Sequence, residues 1–134
     1  MKLTELLRLF RFGIVGVIAA ATHYLTVIAL VELAGITPLI ANVGGFAVAF
    51  WLSYFGHRLW TFGDVDTQNA ASFPRFLAIS LLGFSLNELV LYLLLRYTQI
   101  PYYIALAIAA VVVAFSTYVL SRLWAFRAPR LTQT

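Results

Sequence analysis

Arg58-Leu59-Trp60-Thr61-Phe62 closes an apolar run that begins near Leu39, and the pattern returns as Arg122-Leu123-Trp124-Ala125-Phe126. The shift is 64 residues in a chain of 134, and Tyr54 and Tyr118 stand four residues before the two arginines. At that shift, without gaps, Arg11-Phe12 falls on Arg75-Phe76, Leu25 on Leu89, Leu30 on Leu94 and Ile40-Ala41 on Ile104-Ala105. About a quarter of positions 11–62 are identical to their partners in 75–126. Matched Arg and Trp carry weight in so apolar a sequence, and a fixed period is the mark of a duplicated unit.

The unit is a membrane hairpin. Hydrophobic residues make up 63% of the chain and charged residues 10%, and the mean hydropathy is +0.94. A soluble domain carries about 25% charged residues, so this chain could not cover a water-facing surface. Four runs reach the roughly 20 residues that cross a hydrocarbon core: Phe12–Leu33, Leu39–Trp60, Phe76–Leu95 and Tyr102–Trp124. Runs of this length exclude barrel strands, and lipid leaves only helices as the alternative. Gly35-Ile36-Thr37-Pro38 and Thr98-Gln99-Ile100-Pro101 are tight connections in which proline can open the next helix. The expected fold is an all-α membrane protein of four transmembrane helices. It forms a single membrane domain over 1–134, with repeats at 11–62 and 75–126 and a polar linker at 63–74.

Charge orients it. Lys2, Arg8, Arg11, Arg58, Arg75, Arg122, Arg127 and Arg130 lie at one set of span ends, and only Arg96 lies at the other. The positive-inside rule then places both termini and the linker on the cytoplasmic side, and the expected location is the cell's inner (cytoplasmic) membrane. Two helices per repeat give both copies the same orientation, related by an axis along the membrane normal. A cleavable signal peptide is the competing reading of the N-terminus, but the apolar stretch runs on to Leu33. There is no cysteine, hence no disulfide framework or thiolate metal site. A nucleic-acid surface is not expected of a chain without a soluble domain.

Polar groups inside the spans are costly and tend to mark pathways. His23 lies roughly 18 Å along the helix from Arg11, and Asn87 is its counterpart at the 64-residue shift, followed by Glu88. Two readings stand side by side. These residues line a translocation path, with Glu88 or His23 exchanging a proton, or they are hydrogen-bonding glue between helices. An acid at the helix centre costs about 2.5–3.5 kcal/mol on an insertion scale, which favours a functional Glu88. Glu32 and Asn42 are expected near the outer boundary.

Arg58 and Arg122, with Arg11 and Arg75, form a basic rim at the inner leaflet. They either grip a phosphate through the guanidinium fork or snorkel as anchors, with Trp60, Trp124, Tyr54 and Tyr118 as the aromatic belt. Gly13, Gly16, Gly44 and Gly45 are expected to be close-packing positions. No catalytic constellation, metal-ligand cluster or phosphate-cradling loop is visible, so an enzyme, a metal and a cofactor are not expected.

These residues resemble those of the GtrA-like family of small four-helix membrane proteins. The resemblance rests on Arg11-Phe12 with Gly16, Arg75-Phe76, and the two Arg-x-Trp-x-Phe ends, and it covers about Arg8 to Arg127. Where the family pattern has Asn before the Arg, this chain has His57 and Ser121, while Asn87 matches a polar position common in the third helix. The resemblance implies movement of a polyprenyl-phosphate-linked monosaccharide to the outer leaflet, for O-antigen, teichoic acid or arabinogalactan glycosylation. It also implies a glycosyltransferase partner, and a relation to the membrane domain of some dolichol-phosphate mannose synthases. A homodimer would thicken so thin a bundle. The alternative is a non-transporting anchor that recruits the glycosyltransferase. A small multidrug-type exporter fits less well, because span 1 has no mid-span carboxylate.

Overall fold

The computed structural model describes residues 1–63 and 72–125, and for Ser72 and residues 117–125 the backbone only. Four helices run in order: α1 (Leu3–Ala34), α2 (Pro38–Gly56), α3 (Ser72–Tyr97) and α4 (Tyr102–Ala125). A π-helical turn, His57–Thr61, extends α2. No strand occurs among the described residues. α1 packs along α2 and α3 along α4, so each half of the sequence forms a hairpin, and α2 meets α3 at the seam between them. The molecule thus has a terminal end, where α1 begins and α2 stops, and a hairpin end holding the two tight connections.

Sequence chemistry explains the boundaries. Glu5 accepts a hydrogen bond from the Lys2 backbone N–H at 3.1 Å, which ties the first turn of α1 and places an acid at a helix N-terminus. At the other end Gly35 adopts φ 66°, a left-handed conformation that favours glycine. Its N–H and that of Ile36 return to the carbonyls of Val31 and Leu30, at 3.2 and 3.1 Å. Pro38 is the first residue of α2, where its missing N–H costs nothing. Pro101 instead stands one residue ahead of α4, its carbonyl accepting from Ile104 and Ala105.

Two expectations about boundaries need correction. α1 begins at Leu3, nine residues before the expected span, because Leu3, Leu6, Leu7 and Leu9 are good helix formers. Its 32 residues give a rod of about 48 Å, longer than the hydrocarbon core. The linker is also shorter than 63–74: α3 has begun by Ser72, with Pro74 inside its first turn.

Packing confirms a lipid-facing molecule. The fully or nearly fully buried core is small: Val27, Ala41, Leu91, Ala105, Leu106 and Ala109, clustered towards the hairpin end. Val17, Leu25, Ile79, Leu82, Val111 and Phe115 are each well over half exposed. In water such a surface would be an aggregation hazard, while in a bilayer it is the required exterior. α1, α2 with its π turn, and α3 are each long and apolar enough to span, and the 24 residues of α4 give about 36 Å.

Glycines set the spacing of the first hairpin, though not all of those expected. A Cβ on Gly45 would lie 2.6 Å from His23 Cδ2 and Val27 Cγ2 and 2.9 Å from the His23 carbonyl oxygen. On Gly44 it would meet only the tip of Leu30, at 2.8 Å. Gly13 and Gly16 have nothing within 4 Å of such an atom. They are not close-packing positions: both lie on an exposed face of α1, while Val15 between them packs against Gly56 of α2.

Candidate functional site

A chain of polar side chains crosses the bundle beside Gly45, where α2 lies against α1. His23 Nε2 and Asn42 Oδ1 share a hydrogen bond of 2.7 Å. The Asn42 amide nitrogen then donates to Asn87 Oδ1 at 2.8 Å and to Glu88 Oε2 at 2.7 Å. Because the Asn42 oxygen is the acceptor, His23 donates from Nε2. Asn42 is wholly buried, Asn87 is buried, and His23 and Glu88 are half-buried. Three helices are joined by one amide.

The hub was missed by sequence reasoning. Asn42, expected near the outer boundary apart from the midplane group, is the residue on which that group converges. Asn42 lies one turn before Gly45, and both face α1 on the stripe Ala41, Asn42, Gly45, Ala49. The absent side chain at Gly45 lets α2 approach the backbone of His23, so the amide reaches the imidazole. That small-residue stripe was the available signal. His23 and Asn87, equivalent at the 64-residue shift, meet the same side chain, whereas the equivalent of Asn42 itself is Leu106, a core residue.

Two other hydroxyls in the spans are satisfied locally. Thr26 and Ser85 return their hydroxyls to the carbonyls of Thr22 and Leu81, at 2.6 and 2.7 Å. Near the hairpin end, Tyr102 donates to Glu32 and Tyr24 to the Tyr103 carbonyl at 3.0 Å, which fasten α1 to α4. Glu32 thus has its partner on α4, close to the tight connections.

Glu88 also faces outward. With Leu39, Phe84, Ser85, Leu89 and Tyr92 it lines a groove of about 410 Å³. Leu89 and Tyr92 are about half exposed, so the groove opens on the side of the bundle.

Three arginines of the expected basic rim are among the residues with described side chains. Arg11 donates to the Trp60 carbonyl at 3.3 Å and lies over the Trp60 ring, 5.7 Å from its centroid. Arg58 makes a long contact to the Tyr54 hydroxyl, 3.4 Å, and is exposed. Arg75 is exposed in the opening turns of α3. The side chains of Arg122, Tyr118 and Trp124 lie outside the described residues. Tyr54 belongs less to a membrane belt than to an aromatic seam, contacting Phe73 at 5.0 Å and Phe76 at 5.7 Å. Phe46 stacks on Phe84 at 4.5 Å further along the same α2–α3 contact.

One further feature was hidden in the sequence. His57 opens the π turn, where the Phe62 N–H reaches back to the His57 carbonyl at 2.8 Å. The imidazole is buried, stacks on Phe12 at 4.6 Å and shares a hydrogen bond of 3.1 Å with Thr61 Oγ1. A π turn widens the helix and leaves carbonyls poorly paired, and Arg11 takes one of them. The position where the resemblance led one to look for Asn is therefore a buried packing and hydrogen-bonding site.

No curated protein and no solved structure matches the chain. The family model of the GtrA/DPMS transmembrane domain matches residues 11–126, which takes in all four helices, both hairpins and every residue of the polar chain. The protein belongs to the GtrA/DPMS transmembrane-domain family.

Proposed function

We propose that the protein is a non-enzymatic translocator that carries a polyprenyl-phosphate-linked monosaccharide from the cytoplasmic to the outer leaflet of the inner membrane, for glycosylation of a cell-surface polysaccharide. The observation that carries this reading is the His23–Asn42–Asn87/Glu88 chain, set among fully buried apolar side chains. A sugar and a phosphodiester cannot cross hydrocarbon unaided, and a line of donors and acceptors at depth lowers that barrier. The direct test is a leaflet assay in vesicles containing the purified chain and candidate lipid-linked sugars. No acceleration over protein-free vesicles for any such lipid would overturn the proposal.

In this proposal the terminal end faces the cytoplasm. Reporter fusions after Pro74 and after Arg130 are expected to read cytoplasm, and fusions near Gly35 and Gln99 to read the outside. A cytoplasmic signal at Gly35 overturns the orientation and, with it, the common orientation of the two repeats.

Arg58 and Arg122 are proposed as the phosphate grip, with Arg75 alongside; Arg11 offers its remaining donors while one holds the Trp60 carbonyl. Arg58→Lys with Arg122→Lys keeps charge and snorkelling but loses the bidentate fork. Insertion is expected to be normal and transport of the lipid-linked sugar to fall severalfold. Full transport by that double variant would make the two arginines anchors.

The second reading, an anchor that recruits a glycosyltransferase and moves nothing, draws on the start of α1. There Leu3, Leu6, Leu9 and Phe10 are exposed beside Arg8, on a helix too long for the bilayer. The readings separate cleanly: an anchor loses function when residues 3–10 are made polar and is indifferent to Glu88.

A further inference from the structure

The interior next to the polar chain is filled. Leu91, one turn beyond Asn87 on α3, has no exposed surface, and neither do Val27, Ala41, Ala105 and Ala109 around it. At this level, among the described residues, the centre of the bundle leaves no room for a sugar. Glu88 offers another route, because it stands at the boundary between the polar chain and the lateral groove. Its Oε2 accepts from Asn42, whereas Oε1 takes no hydrogen bond among the described residues. Beside it in the groove are the exposed hydroxyl-bearing Ser85, and the rings of Phe84 and Tyr92. The Phe84 ring is held by its stack on Phe46.

We infer that this groove is a lateral sugar site, through which the monosaccharide head group crosses along the lipid-facing side of α3 while its polyprenyl tail stays in the bilayer. The inference rests on the translocator reading above and gives it a route. A pyranose presents a face of C–H groups and a rim of hydroxyls. Aromatic rings take the first and a carboxylate with a free acceptor oxygen takes the second. A groove of about 410 Å³ falls in the range of small-ligand sites, about 300–1,000 Å³. The Asn42 amide fixes the carboxylate from behind, so the free oxygen is directed rather than floppy. A groove on the outside also spares the protein from enclosing the tail, which four short helices could not do.

The natural absence of cysteine makes the test direct. Ser85→Cys is a near-isosteric change at an exposed position, and its labelling by a membrane-permeant maleimide is measured in vesicles. Two probes are added in turn: a polyprenyl-phosphate monosaccharide, and the same polyprenyl phosphate without sugar. The expected result is slower labelling with the sugar-bearing lipid alone. Labelling of Val111→Cys, on the exposed face of α4, should respond to neither. A second variant, Ser85→Trp, fills the groove and should abolish most transport while leaving insertion intact.

Protection by both lipids equally would mean that the groove reads the polyprenyl chain, and would overturn the sugar site. Loss of labelling without any lipid, together with Ser85→Cys dimers on oxidation, would mean that a second copy covers the groove, and would also overturn it. Unprotected Ser85→Cys with unimpaired transport, or full transport by Ser85→Trp, would refute the lateral route and leave the translocator reading standing. Sugar-specific protection of Ser85→Cys, with no transport by the wild-type protein, would uphold the sugar site and refute translocation and the lateral route with it.

Discussion

Glu88→Gln is expected to insert, fold and bind its proposed glycosyltransferase partner normally, and to lose most transport of the lipid-linked sugar. The side-chain oxygen of Gln can still accept from the Asn42 amide, as Glu88 Oε2 does at 2.7 Å. The hub therefore stays satisfied and the packing of α2 on α3 is preserved. What disappears is the ability to ionise, and with it either proton exchange or a strong charged acceptor for sugar hydroxyls. A tenfold fall in rate corresponds to about 1.4 kcal/mol on the barrier, comparable to one charge-assisted hydrogen bond. The measurement is the initial rate of leaflet exchange in vesicles, set against thermal or denaturant unfolding of the same preparation. Wild-type rates in Glu88→Gln would remove ionisation from the mechanism. Wild-type rates in Glu88→Ala as well would leave the anchor as the better account.

Gly45→Ala is expected to be the most damaging single methyl group in the first hairpin. The new Cβ would sit 2.6 Å from His23 and Val27 side-chain atoms and 2.9 Å from a backbone carbonyl. A backbone neighbour cannot swing aside, so α1 and α2 must separate. Overpacking of this kind costs about 1–3 kcal/mol. Separation also pulls Asn42 from His23, and so couples stability to transport. Gly44→Ala provides the internal control, since the obstruction there is the end of one leucine side chain and a rotamer change relieves it. Gly13→Ala and Gly16→Ala meet nothing and should be neutral or slightly stabilising through helix propensity. Reversible unfolding in mixed detergent would rank the four. Equal losses at positions 44 and 45 would show that the helices are not held at this distance.

Much of this architecture was legible without coordinates, because lipid narrows the choices. Long apolar runs in a bilayer must be helices, since no other single segment satisfies its own backbone. Hence α2, α3 and α4 lie within a few residues of where hydropathy put them. The start of α1 escaped because Glu5, Arg8 and Arg11 interrupt its apolar run, so that only its helix-forming residues and the Lys2–Glu5 cap mark it. The resemblance to the GtrA-like family, carried by short motifs at helix ends, agrees with the family match over residues 11–126.

The candidate site was legible in its members and not in its connections. His23, Asn87 and Glu88 stand out because polar residues are expensive at depth, a property of each residue taken singly. Asn42 as hub, Arg11 on the Trp60 carbonyl and His57 at the head of a π turn are relations between helices. They depend on axial register and tilt, which a run of apolar residues leaves free to slide. Composition and period thus determined that this protein is a four-helix membrane bundle with rare polar groups inside it. Which of those groups touch was decided only by tertiary structure. The physical reason is local: one missing side chain, at Gly45, sets how closely α1 and α2 approach, and that distance selects the hydrogen bonds.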